Sequence, residues 1–190
     1  CEYRERLAKW YTFLKPNFAS SLDLPNSLAF KDEIKRERLI WSIENYKQMK
    51  ACLNTPLYLG ISAFSKRDIE IAKERIGKML GEEPELLGLG GMVPLMRSSE
   101  TELEQGKLIL YIISNARKEF PNSVIHVYGL GDHRWYPLIR LLGASSSDYS
   151  GYHYITGRGG ILLPNSSGGY ILRIIKHKTK NGFVYYTRSN

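Results

Sequence analysis

Apolar and polar positions along this chain alternate between a helical and an extended period. Residues 2–14 carry Leu7, Trp10, Tyr11 and Leu14 at helical spacing and stop before Pro16, which predicts an opening helix. A strand-like run at 18–22 follows, closed by Asp23 and Pro25. A long charged helix is expected over about 31–52, with Leu39, Ile40, Ile43 and Tyr46 on one face. Residues 57–61 read as a strand. Ser65 with Asp68 makes a capping-box pattern ahead of a helix whose inward stripe is Ile69, Ala72, Ile76, Met79 and Leu80.

The second half continues in the same way. A short strand at 86–89 precedes a helix that Ser99 and Glu102 would open, with Ile109, Ile112, Ile113 and Ala116 inward. Val124-Ile125-His126-Val127-Tyr128 is the clearest strand in the chain. A short helix around 137–142 leads to a Ser-rich segment, 145–150. Beyond Gly157-Arg158-Gly159-Gly160 come a strand at 161–163 and the pattern of a β-hairpin, 170–176 with 183–186, turning at Asn181-Gly182.

Strands and helices alternate at roughly 30 to 40 residues per unit, the signature of a parallel sheet built from βαβ units. A doubly wound sheet and part of a (β/α) barrel both fit. A complete barrel takes about 250 residues, so within a barrel these 190 residues would be a large part of one. The organisation expected is one unit over 1–165 and a basic hairpin tail over 166–190, with no internal repeat and no second domain.

Composition narrows the class. At 43% hydrophobic and 24% charged residues the chain is globular, which sets aside collagen-like, coiled-coil and wholly disordered readings. No apolar run approaches the roughly 20 residues that cross a bilayer, so no membrane role is expected. Two cysteines, Cys1 and Cys52, cannot build a disulfide framework, which suits the reducing cytoplasm. The chain opens on Cys1 inside a helical pattern without a leader, and upstream sequence is expected to be missing. The net charge of +8 favours a polyanionic partner, nucleic acid first. The tail concentrates it: 173–188 holds Lys176, Lys178 and Lys180 with two arginines and no acidic residue.

Familiar chemical signatures are missing. Gly129-Leu130-Gly131 follows a strand, but the third glycine of a dinucleotide fingerprint is replaced by Arg134. Gly88-Leu89-Gly90-Gly91 fails the same test at Val93. There is no phosphate-cradling P-loop, no metal-ligand spacing among the histidines and cysteines, and no nucleophile elbow. What remains is positional. Asp23, Ser62, Gly90-Gly91, Gly129-Leu130-Gly131 and Asp148 all fall at or just after strand C-terminal ends, where parallel α/β proteins build their sites. Carboxylates there can serve base recognition, nucleophilic attack or acid/base work, and more commonly an Asp only caps a turn or a helix.

Four segments carry a family resemblance. Leu89-Gly90-Gly91-Met92-Val93-Pro94-Leu95-Met96 resembles the Gly-Gly-Val-Val-Pro-Leu-Met segment of archaeal-type tRNA-guanine transglycosylases. His126-Val127-Tyr128-Gly129-Leu130-Gly131 is similar to that family's next strand and turn. Leu142-Gly143-Ala144-Ser145-Ser146-Ser147-Asp148 resembles its nucleophile segment, and Ser20-Ser21-Leu22-Asp23-Leu24-Pro25 its earlier Leu-Asp-x-Pro motif. These landmarks come in family order over about residues 15–165.

The resemblance implies the C-terminal part of a (β/α)8 TIM barrel that exchanges guanine for a 7-deazaguanine base in nucleic acid. Asp148 would be the nucleophile at the sugar C1′. Asp23, Ser62, Gly90, Gly91, Met92 and Tyr152 would bind the base, and Arg158, Lys176, Lys178 and Lys180 would hold phosphates. Ser62 stands where the family has a base-binding Gln, and Ser145 where its nucleophile segment has a first Asp. The family's Asp-Ser-Gly-Gly motif and structural zinc ligands are absent, so no cofactor is expected within this chain and any zinc would belong to a further C-terminal segment. The run from Asp148 to Pro164 also resembles the branch that inserts 7-deazaguanines into DNA, so tRNA and DNA both stand as substrates. Family members often dimerise, but no interface is specified by the pattern. Two other readings stand beside this one: an inactive member that binds nucleic acid or a partner subunit, and an unrelated barrel enzyme acting on a small anion.

Overall fold

The structure, a computed structural model, describes residues 2–95, 101–130 and 135–148, and, as backbone alone, the strands 160–163, 170–179 and 182–189. Its elements are α1 (Glu2–Leu14), β1 (Ala19–Ser20), α2 (Asp32–Cys52), β2 (Leu57–Ser62), α3 (Lys66–Leu80), β3 (Leu86–Gly90) and α4 (Met92–Leu95). Then follow α5 (Glu102–Glu119), β4 (Val124–Val127), α6 (Tyr136–Leu141), β5 (Ser146–Ser147), β6 (Gly160–Leu163), β7 (Tyr170–Thr179) and β8 (Gly182–Ser189).

The first five strands form one sheet in the order β1-β2-β3-β4-β5, every neighbouring pair parallel. That order settles between the two architectures left open by the sequence. A doubly wound sheet reverses direction at a switch point, and this one does not. Right-handed crossovers that always step the same way put every connecting helix on one face. The sheet curls into a half-barrel with helices outside, compatible with a partial barrel fold.

Strand alternation shows which face is which. Leu57, Leu59 and Ile61 of β2, Leu87 and Leu89 of β3, and Ile125 and Val127 of β4 are all buried. They form one cluster with Ile43, Tyr46 and Met49 of α2, Ile69, Ala72 and Ile76 of α3, and Ile109, Ile112, Ile113 and Ala116 of α5. The residues between them, Tyr58, Gly60 and Ser62, then Gly88 and Gly90, then His126, project the other way, onto the concave face. In β2 to β4 the helix-facing side is thus apolar, and the concave side is polar, aromatic or glycine toward the strand C-terminal ends, with Leu86 and Val124 paired at the opposite end.

Local chemistry fixes the element ends. The Ser65 hydroxyl accepts from the Asp68 amide at 3.2 Å while the Asp68 carboxylate accepts from the Phe64 amide at 2.9 Å, so the capping box expected from sequence opens α3. α3 ends on Gly81 at φ 75°. α5 begins at Glu102 with Thr101 as its cap, the hydroxyl accepting from the Glu104 amide, rather than at the Ser99–Glu102 pair. At the β3–β4 crossover, Glu83 Oε1 accepts from the Asn122 and Ser123 amides and from the Ser123 hydroxyl, at 2.8–2.9 Å.

β6, β7 and β8 make a separate three-stranded antiparallel sheet in that order, with Thr179 opposite Gly182 at the end of the β7–β8 pairing. The residues joining β7 to β8, Lys180 and Asn181, lie outside the described residues. Among the described residues no helix is long and apolar enough to cross a membrane.

Candidate active site

The C-terminal ends of β1 to β5 all open on the same rim, because all five strands run parallel. Asp23, three residues past β1, lies over β2: its Cγ comes within 3.3 Å of where a Cβ would stand on Gly60. A glycine there leaves the space that the carboxylate occupies. Asp23 is half-buried, and burial raises its pKa above the ordinary carboxylate value, with only its own backbone amide pulling the other way. No other described residue supplies it with a donor.

Asp148 follows β5 and sits in the opposite environment. Its Oδ1 accepts from the Gly129 amide at 2.8 Å and from His126 Nε2 at 3.3 Å. Hydrogen bonding from His126 is the largest influence and holds the carboxyl below its ordinary pKa, partly opposed by desolvation and helped by the Gly129 amide. An ionised carboxylate only accepts, so Nε2 carries a proton toward it. Nδ1, the other ring nitrogen, is hydrogen-bonded to the Ser146 hydroxyl, 2.9 Å away, and the hydroxyl can serve it as donor or acceptor. The His126 side chain is 16% exposed and that of Asp148 52% exposed: a covered ring holds a half-exposed carboxylate.

Between the two carboxylates stands Tyr128. Its hydroxyl shares a 2.7 Å hydrogen bond with Ser20 Oγ on β1, across the concave face. Burial raises its pKa, the Ser20 bond lowers it, and the charges of Asp23, Tyr58 and Asp148 raise it further, so both rim carboxylates act on this one phenol. The ring crosses the strand face at Gly88, where an added Cβ would stand 2.3 Å from Tyr128 Cε2. The aromatic row continues outward: His126 lies 4.7 Å from Tyr128 and 5.5 Å from Tyr58, centroid to centroid.

The other expected site residues divide. Gly91 has φ 96° and an added Cβ would meet Ala63 O at 2.8 Å, so this turn requires glycine. Gly90 has no such constraint: an added Cβ would stand 3.5 Å from Ile61 O, an ordinary contact. Its carbonyl accepts from the Ala63 amide, tying β3 to the loop after β2. Ser62 Oγ accepts from the Asn26 amide at 3.4 Å, which anchors the loop carrying Asp23. Met92 is fully buried in the core cluster, where it packs against the sheet. Lys176 and Lys178 fall two residues apart on β7. Tyr152, Arg158 and Lys180 lie outside the described residues.

Sequence reasoning did not single out His126, Tyr128, Ser20 or Ser146. One signal was available. In 124–128 the apolar residues Ile125 and Val127 alternate with His126 and Tyr128, which places the two aromatic polar residues together on the face away from the helices.

Fold and rim together define an α/β protein with a curled parallel sheet, helices on its outer face, and two carboxylates in contrasting environments at the strand C-terminal ends. No protein-family model matches the chain, and a search of curated proteins returns no match. Among the described residues no cluster of His, Cys, Asp and Glu is arranged to hold a metal ion.

Proposed function

We propose that this chain is the C-terminal part of a (β/α)8 barrel transferase that exchanges guanine for a 7-deazaguanine base in cytoplasmic nucleic acid. The observation that carries this reading is the contrast between the two carboxylates on one rim. Asp148 is kept ionised and aimed by His126 and the Gly129 amide, as a nucleophile must be. Asp23 is a desolvated acceptor without donors from other described residues, suited to a ligand that brings its own. Opposed environments of this kind separate the roles of two carboxylates.

In the first step an Asp148 oxygen bonds to C1′ of the sugar as the C1′–base bond breaks, and the bonding pair leaves with guanine, which takes up a proton. In the second step a ring nitrogen of the incoming base attacks C1′, loses its proton and expels Asp148. Splitting one displacement at an oxocarbenium-like centre into two lowers each barrier. The N1–H and exocyclic amine of a guanine-like base donate to Asp23 and relieve its desolvation. The base must leave its stack to reach the rim, and the Tyr58–His126–Tyr128 row offers aromatic surface to receive it. The basic excess of the chain attracts the phosphates.

Asp148→Asn is expected to abolish both base exchange and a denaturant-resistant protein–nucleic acid adduct, while leaving nucleic-acid affinity within about twofold. Exchange assayed with labelled base and adducts resolved on denaturing gels check this; persistence of either would remove Asp148 from the nucleophile role. A second reading, an inactive member that only binds nucleic acid, is favoured by Ser62, whose hydroxyl serves the Asn26 amide. The wild-type protein forming no adduct while still binding would select it.

A further inference from the structure

A cleft of about 170 Å³ opens beside the rim, between the N-terminal ends of α2 and α3. Asn26 and Ser62 border it on the side of the Asp23 loop and β2, and Lys35, Arg36 and Arg67 bring three cations to its walls. Asp32 and Asp68 share the lining and offset these cations only in part. Asp68 is held by the Phe64 amide and the Ser65 hydroxyl, at 2.9 and 3.0 Å, and pairs with none of the three cations. Asp32 stands 3.7 Å from Lys35 and is 75% exposed, a long and solvated pairing, while the Lys35 side chain itself is only 19% exposed. Lys35 Nζ leans over the Phe64 ring, 5.8 Å from its centroid. Arg36 has no carboxylate partner among the described residues. Among the described residues Arg67 pairs with Glu70 alone, at 3.5 Å on the outer surface of α3. Lys31, before the first turn of α2, supplies no side-chain cap to that helix's amides.

A half-covered ammonium with a distant counter-charge, flanked by two guanidinium groups, leaves a positive excess over the two carboxylates of the lining and suits a compact anion of more than one oxygen. From these residues we infer that the cleft holds one backbone phosphate of a nucleic-acid strand, next to the nucleotide that enters the concave site. The second half of that statement rests on the base-exchange reading; the phosphate subsite does not. Lys35 supplies the fixed charge, Arg36 and Arg67 close on the phosphate oxygens from either helix, and the Ser65 hydroxyl lies within the same wall. Because Ser62 belongs both to this wall and to the end of β2, a strand seated here is led directly onto the rim.

The test is the salt dependence of binding of a fluorescein-labelled 20-mer RNA, and of the same sequence as DNA, to the full chain. Lys35→Ala with Arg36→Ala should weaken binding severalfold and flatten the log–log salt slope by about 0.7 to 0.9, the loss of one phosphate contact. The Lys107→Ala, Lys118→Ala variant removes the same charge from α5 and should leave the slope unchanged. Arg36→Ala alone, an exposed position that does not threaten folding, should give a smaller fall in the same direction. Equal effects of the two double variants would overturn the subsite in favour of diffuse attraction. So would displacement of the strand by inorganic phosphate at millimolar concentration beyond that of chloride at equal ionic strength, which would mark a free-anion site. If the slope falls as expected but no exchange or adduct is ever seen, the base-exchange reading fails and the subsite stands. If exchange proceeds with the slope unmoved in the Lys35 and Arg36 variants, the subsite alone fails.

Discussion

Neighbouring glycines in the same turn have different reasons to be there. Gly91 is held at φ 96° against Ala63, whereas Gly90 has room for a methyl group. Gly91→Ala is therefore expected to cost about 1–3 kcal/mol, and Gly90→Ala to stay within about 0.5 kcal/mol, differences that urea unfolding at constant slope resolves. Asp23 gives a test with a definite sign. Burial raises its folded pKa above the unfolded value, so its contribution favours folding at low pH and is lost as pH rises through the folded pKa. Asp23→Asn should then raise the melting temperature at pH 7, with the gain shrinking toward zero below the ordinary carboxylate range. A loss of stability at pH 7 would show that the carboxylate is satisfied in some other way. Asp23 was legible from sequence because it closes a strand-like run, and Asp148 because 142–148 resembles a nucleophile segment, the strand before it being silent. His126 was hidden because a lone histidine in a strand has no spacing signature, and its role depends on Ser146 and Asp148, some twenty positions downstream, arriving by a strand pairing.

Helices and the longer strands were legible wherever a wide apolar stripe met a polar face, as in α3 and α5, and where caps carried side-chain chemistry. Two elements were not. β5 is only Ser146–Ser147, with no β-branched or aromatic residue to announce it; it exists because β4 pairs with it at His126 and Val127. β1 keeps just Ala19–Ser20 of the five-residue run expected, since beyond Ser21 the chain turns toward α2, where the Leu24 amide donates to Ser42 and Arg38 to the Pro25 carbonyl. The cap at Ser65 is an element-scale device with a measurable worth. Ser65→Ala removes the acceptor of the Asp68 amide and is expected to destabilise the chain by about 1 kcal/mol. Ser65→Thr should recover most of that, which distinguishes capping from a loss of packing. The β3–β4 crossover depends likewise on Glu83. Burial pushes its carboxyl upward, but the Ser123 hydroxyl, the Asn122 and Ser123 amides and Lys73 together bring it below its ordinary value. Its stabilising share is present above the unfolded carboxylate pKa and is lost as pH falls through the folded one. The stability difference between wild type and Glu83→Gln should accordingly narrow on acidification below about pH 4 to 5.

At the scale of the whole molecule, the sheet is strongest in its middle. β2, β3 and β4 have both neighbours and the cover of α2, α3 and α5, while β1 and β5 are two residues each. Hydrogen exchange should find the slowest amides in β2 to β4 and markedly faster ones at Ser20 and Ser147. Uniform protection from β1 to β5 would contradict this hierarchy. The rim residues follow the same gradient: Asp23 and Asp148 hang from the weakest strands, and the Ser20–Tyr128 hydrogen bond reaches from one of them to the central region. The half-barrel class was legible only as one of two options, because strand order depends on long-range pairings that no local pattern encodes. Tyr128 lying over Gly88 also limits how this sequence can drift. A side chain gained at position 88 meets the phenol ring at once, whereas shrinking residue 128 first opens the space for it. The two positions therefore constitute one heritable unit with a preferred order of change, and a lineage that altered 88 without first altering 128 would lose its bridge across the concave face.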